Sequence, residues 1–323
     1  MKVRDLLASS AFMMGLALIV SLGLGLTGNF PEIAPSDRSS LTIIILAAMM
    51  TVSLSRIPFS GLSPSKDPRG VLRALILGIL VASLIPLAAW ALLGDSVYKD
   101  GLIFVAATPF AASVVPLSYI MRGDMEHAAR STIIVYLASI LYIPVLVWLT
   151  LGESVNMADV VISVAEVMVL PLFLSRLITR VKIDKYVMAV VLNCAIFMLV
   201  VLSVGATANF FRSEATLLLI FMGIAVLRTF VLGVGLEFTE RRLGIKWSQR
   251  VTDVLMTSYK NKGVAIALCM AVLPAAALFP ITASIVVEIC WVIFMDAVLF
   301  SKRRMSRELR REGSEPVDPA VSP

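Results

Sequence analysis

The sequence predicts an all-α membrane protein with ten transmembrane helices, arranged as two inverted five-helix repeats. Three observations carry this reading: the composition, ten long apolar runs, and the placement of the basic residues. Of 323 residues, 59% are hydrophobic and 15% charged, with a mean hydropathy of +0.93. A soluble domain averages about 45–50% apolar and about 25% charged residues. Disordered, collagen-like and disulfide-scaffold classes are excluded. Ten spans of ~20 residues each would occupy about 200 residues, which leaves short loops and no room for a sizeable soluble domain.

In chain order the apolar runs are 6–26, 41–59, 71–93, 101–121, 130–151, 157–178, 185–206, 214–236, 252–273 and 277–300. They are long and rich in Leu, Ile, Val and Ala, unlike the short alternating strands of a membrane barrel. The first starts with Lys2 and Arg4, as a signal peptide would. Its apolar run is longer than a typical signal core and no small-residue cleavage site follows, so it is read as the first span. Pro109 and Pro116 interrupt the fourth run, and Ser258-Tyr259-Lys260-Asn261-Lys262-Gly263 interrupts the ninth. These are corresponding places in two halves, the sequence mark of an inverted-repeat transporter. Five spans per half also insert the halves with opposite topology. The repeats are then 1–151 and 152–304, followed by a polar tail, 305–323, read as disordered. Cys194, Cys269 and Cys290 lie within spans at no ligand spacing and read as packing residues.

Basic residues set the orientation. With the N-terminus inside, 22 of the 28 Lys and Arg fall on cytoplasmic segments, and only Arg38, Lys99 and Arg212 fall outside. The alternation holds at every loop, which places both termini in the cytoplasm and the chain in an inner (plasma) membrane. The pI near 9.4 therefore reflects membrane-flanking loops rather than a nucleic-acid surface.

The remaining basic residues, Arg228, Lys260 and Lys262, lie inside spans, as do the acids Glu166, Glu288 and Asp296. Charge in hydrocarbon is costly, so such residues face a cavity or one another. Lys260 and Lys262 are two apart, which on a regular helix would send them to different faces. An unwound segment eased by Asn261 and Gly263 would let both reach one site of positive potential. Glu288 is the expected partner, because segments nine and ten share a short outside loop; Glu166 and Asp296 are further candidates. Asp253 reads as a helix-start charge and His127 as a solvated loop residue. No metal motif, phosphate loop or cysteine cluster occurs, and Ser113 and Ser131 have no apparent base, so neither an enzyme nor a cofactor is expected.

Two stretches carry a family resemblance. The run from Val105 to Asp124, with Pro109, Ser113, Pro116 and the exit Tyr119-Ile120-Met121-Arg122-Gly123-Asp124, resembles segment four of the bile acid:sodium symporter family. Lys260-Asn261-Lys262-Gly263 resembles that family's Gln-Asn-Ser-Gly crossover in segment nine. The resemblance implies a panel of segments one, two, six and seven. It implies a core of three to five and eight to ten, in which broken helices four and nine cross. It also implies secondary transport of organic anions, mostly driven by sodium.

This sequence departs from the family where sodium would bind. Val114 and Val115 stand at a Ser-Asn pair, Met256 at a glutamate, Lys260 at the glutamine, and Val81 near a segment-three glutamine. Thr132 and Asn261 keep ligand-type side chains. Sodium needs several hard oxygen ligands, which Val and Met side chains lack, and an ammonium repels the ion. The expectation is thus a carrier of a small organic anion that does not use sodium. Proton coupling through Lys260 stays open beside uniport and exchange. The alternatives are a cation/proton antiporter-like carrier using Lys260 with Glu288 or Asp296, and a non-transporting membrane sensor. The site residues expected are Lys260, Lys262, Asn261, Pro109, Ser113, Thr132, Glu288, Arg228 and Glu166. The partners expected are the anion, protons and the lipid bilayer.

Overall fold

The computed structural model describes residues 6–7, 10–55, 67–179 and 184–312. Among these the chain is helical, with no strand beyond one isolated bridge. In order the helices are α1 (Ser10–Leu26), α2 (Pro35–Leu54), α3 (Pro68–Leu92), α4 (Val97–Ala107), α5 (Val114–Ile120) and α6 (Met125–Leu151). There follow α7 (Met157–Ile178), α8 (Lys185–Ser213), α9 (Ala215–Arg242), α10 (Trp247–Ser258), α11 (Lys262–Val272), α12 (Phe279–Phe294) and α13 (Lys302–Arg311).

Polar caps start several of these helices. The Asp67, Ser96, Asp124 and Asn156 side chains accept backbone N–H bonds ahead of α3, α4, α6 and α7. Three helices carry a π-helical turn, Ile76–Val81 in α3, Ala165–Val169 in α7 and Leu227–Val231 in α9, and a fourth such turn, Met295–Leu299, directly follows α12.

Among the described residues, seven helical stretches are long and apolar enough to cross a bilayer: 36–54, 68–92, 125–154, 157–178, 186–205, 215–242 and 275–299. The other three predicted spans are the shorter α1 and the interrupted fourth and ninth segments. α4 and α11 have 11 residues each, ~16 Å at 1.5 Å per residue, about half of a ~30 Å hydrocarbon core. Neither could cross alone.

Large apolar side chains point outward on many helices, such as Ile19, Leu141, Phe173 and Leu177, each at least 70% exposed. Water would not tolerate this arrangement over so much surface; lipid would. α4, α10 and α11 lie at the other extreme. Leu102 to Ala107, Arg250 to Ser258 and Val264 to Cys269 are all buried.

Helix packing separates two groups. α1 packs on α8, and α2 on α7 and α8. α3 packs on α4, α4 on α6 and α12, and α9 on α10 and α12. The groups meet where α11 touches α4 in one and α2 and α7 in the other, and also where α6 packs on α7 and α12 on α1 and α8.

The tail departs from its expected disorder. Met305 to Arg311 belong to α13, because Glu308 is held by Arg241 (2.7 Å) and Arg250 (3.1 Å). Composition alone does not show partners supplied by other helices. Residues 313–323 lie outside the described residues, as do Lys2, Arg4, Arg56, Lys66, Arg180 and Lys182 of the orientation count.

Candidate functional site

The breaks in segments four and nine meet. α4 ends at Ala107, and Thr108, pushed out of helix by the proline that follows, is extended at φ −72°, ψ 146°. α10 ends at Ser258, and Tyr259 and Asn261 have left the helical region. The two stretches pair antiparallel. Ala111 N donates to Tyr259 O (2.9 Å), and Asn261 N donates to Pro109 O (2.8 Å). Backbone that leaves helix inside a bilayer must find partners within the protein, and here each break satisfies the other. The breaks are shorter than the sequence suggested: Val114 and Val115 are in α5, and Lys262 and Gly263 in α11.

Lys260 points from the bridge into the interior and is 1% exposed. Its Nζ donates to the carbonyls of Gly78 (3.2 Å), Ala106 (3.0 Å) and Thr108 (2.7 Å). Ala106 and Thr108 lie at the C-terminal end of α4, the negative end of its dipole. Gly78 sits in the π-helical turn of α3, where a β-carbon would lie 2.9 Å from the Phe110 ring. Glycine there lets Phe110 close over the crossing.

Arg228 plays a matching part at the end of α10. Its Nη1 donates to Ser258 O (3.0 Å), while its Nη2 pairs with Glu288. Lys262 Nζ lies 2.9 Å from the same Glu288 oxygen. Each interrupted helix therefore ends against a buried cation. Two of these cations, Arg228 and Lys262, share the Glu288 carboxylate, while Lys260 is held by carbonyl oxygens.

Asn261 caps α11 by accepting from Val264 N (3.1 Å) and donates to the Tyr136 hydroxyl on α6 (2.7 Å). Ser113, at the start of α5, lies within hydrogen-bond reach of the Tyr259 hydroxyl. Thr132 stands one turn before Tyr136, but its hydroxyl is bonded to Ala128 O (2.8 Å) of its own helix.

Two expected members do not join. Glu166 lies exposed on the π-helical turn of α7 and makes no ion pair among the described residues; Asp296 is likewise exposed. Hydropathy places an acid within a span without saying which face it takes.

Sequence reasoning missed a second charged cluster, at the end read as cytoplasmic. Asp253 is fully buried, with Arg73 Nε 2.7 Å away, and Arg73 also pairs with Glu240 (2.5 Å). His127, expected to be solvated, is buried, its ring nitrogens 3.7 Å from Asp253 and 3.9 Å from Asp67. The available signal was that Arg73 falls just inside the start of the third apolar run, with Glu240 one turn beyond the end of the eighth.

The profile of the sodium bile acid symporter family matches residues 40–218, more than half of the chain. The chain belongs to the sodium bile acid symporter family. It is accordingly a multi-pass, bile-acid/sodium symporter-like transporter. The family match spans α2 to the start of α9, including the Pro109 break, and the Lys260 stretch lies beyond it. No curated protein matches this chain.

Proposed function

We propose that the protein carries a small organic anion by alternating access, without sodium, in an inner membrane with both termini cytoplasmic. The observation that carries this is the Lys260 ammonium seated among three carbonyl oxygens at the crossing. The family resemblance puts sodium there. A tethered cation supplies the same charge without ion binding. Val81, Val114, Val115 and Met256 offer no side-chain oxygen to hold sodium nearby.

An anionic substrate fits the surplus of Lys260, Lys262 and Arg228 over Glu288. Buried charge needs a counter-charge, and among the described residues Glu288 is the one acid in ion-pair contact with this cluster. In this reading α1, α2, α7 and α8 form a panel, and the other spanning helices form a core. The halves are inverted repeats: each has a helix broken at its fourth place and a π-helical turn in its third. Cation/proton exchange through Lys260 has less support, since Glu288 is held by two cations and Asp296 is exposed.

The test is uptake of labelled cholate, benzoate and pyruvate into proteoliposomes, in sodium against choline chloride. At least one anion should enter equally in both salts, and Lys260→Gln should abolish that uptake. Sodium-stimulated uptake by the wild type would overturn the reading. Binding in a thermal-shift assay with no uptake would indicate a sensor.

A further inference from the structure

The sequence alone leaves Lys260 free to act as a proton carrier. We infer from the geometry that it is instead a fixed ammonium that keeps all three hydrogens, so the carrier is not proton-coupled through it. An ammonium has three donors and no acceptor, whereas a neutral amine has two hydrogens and a lone pair. The three nearest partners of Lys260 Nζ are all acceptors, at 2.7, 3.0 and 3.2 Å. None is a donor that could face a lone pair. Loss of one proton would set that lone pair against a carbonyl oxygen and leave a buried acceptor short of a donor.

The acceptors themselves are backbone carbonyls of helical elements. Ala106 and Thr108 belong to the end of α4, and Gly78 to the π-helical turn of α3. Ala106 O also accepts from the Ser83 hydroxyl (2.7 Å), which ties the two elements together. A proton relay needs an exchange partner within reach, and backbone carbonyls do not take protons. The charged side chains facing Lys260 are Arg228 of α9, Lys262 of α11 and Glu288 of α12. Glu288, the only base among them, is occupied by Arg228 and Lys262.

Lys260 therefore acts as a positioning residue that closes the crossing of segments four and nine with a permanent charge. Anion movement is then uniport or exchange. That coupling consequence rests on the proposed transport function; the charge state does not, and its test uses no substrate, so the two can fail separately.

The experiment compares melting temperatures of the full-length wild type and Lys260→Met in detergent and potassium chloride, from about pH 6 to about pH 9, the range in which a perturbed lysine would titrate. A fixed ammonium predicts a gap of several degrees that stays constant with pH. A gap that shifts in the wild type's favour as pH rises would mean that the folded lysine has lost a proton that the unfolded one keeps, and a constant gap near zero would mean that the bonded ammonium adds no stability; either overturns the inference. Should Lys260→Met fail to fold, Lys260→Ala is melted in ammonium chloride and in tetramethylammonium chloride. Stabilisation by ammonium alone supports a site that requires N–H donors, and equal melting in the two salts refutes it.

Discussion

Glu288 is the residue on which the buried charge turns. It lies 4% exposed between Arg228 and Lys262, and its removal would leave both cations without a counter-charge. Breaking a buried pair by deleting one partner costs about 3–5 kcal/mol, so Glu288→Gln, which preserves shape, should lower the melting temperature markedly. Adding Lys262→Met to that variant removes one orphaned cation and should recover part of the loss. A Glu288→Gln protein as stable as the wild type would show that the cations need no carboxylate. This pairing was legible in the sequence because a short loop makes segments nine and ten neighbours. The burial of Asp253 and His127 was not, because their partners Arg73 and Asp67 come from other helix ends. Chain position gave both residues a solvated setting; tertiary packing removed it.

The interrupted helices were the most legible elements. Paired prolines in one apolar run, and a polar run carrying two lysines in the other, each mark a break, although the single prolines Pro86 of α3 and Pro144 of α6 are accommodated without one. Their mutual pairing follows from the need to satisfy freed backbone groups in a dry interior. The π-helical turns were not legible, since one extra residue per turn leaves no residue-type signature. Nor was α13, whose order depends on contacts. Burial pushes the Glu308 carboxyl up, but hydrogen bonds and charge from Arg250 and Arg241 outweigh it and hold the group below the ordinary value of 4.5. A carboxylate depressed in the folded state stabilises above its unfolded pKa, and the contribution fades as pH falls through the folded one. α13 should therefore stay docked at neutral pH and loosen below about pH 4.5. Hydrogen exchange over 302–311 at neutral and acid pH reads this directly. Glu308→Gln should show the loosened exchange at neutral pH too, and exchange unchanged by acid would refute the role.

At the scale of the whole molecule, the proposed transport cycle requires the panel to move against the core, and the contact that must give way is specific. α11 lies on α2: a β-carbon on Gly263 would stand 2.7 Å from a Leu46 methyl, and Asn261 Nδ2 is 3.7 Å from Met50 Sδ. The buried cations Lys260, Lys262 and Arg228 all sit on elements assigned to the core and would travel with it. Composition and loop charge made the membrane class and its proposed orientation legible, but not this seam, which no periodicity in α2 or α11 marks. In a background with Cys194, Cys269 and Cys290 replaced by alanine, Leu46→Cys with Gly263→Cys should be bridged by a short bifunctional thiol reagent. Uptake of whichever of cholate, benzoate or pyruvate the protein accepts should then fall to the level of empty liposomes. Each single cysteine variant, treated alike, should keep its uptake, which separates locking from modification. A bridged protein that transports at the unbridged rate would show that this seam stays closed throughout the cycle, and alternating access between these two groups of helices would be wrong.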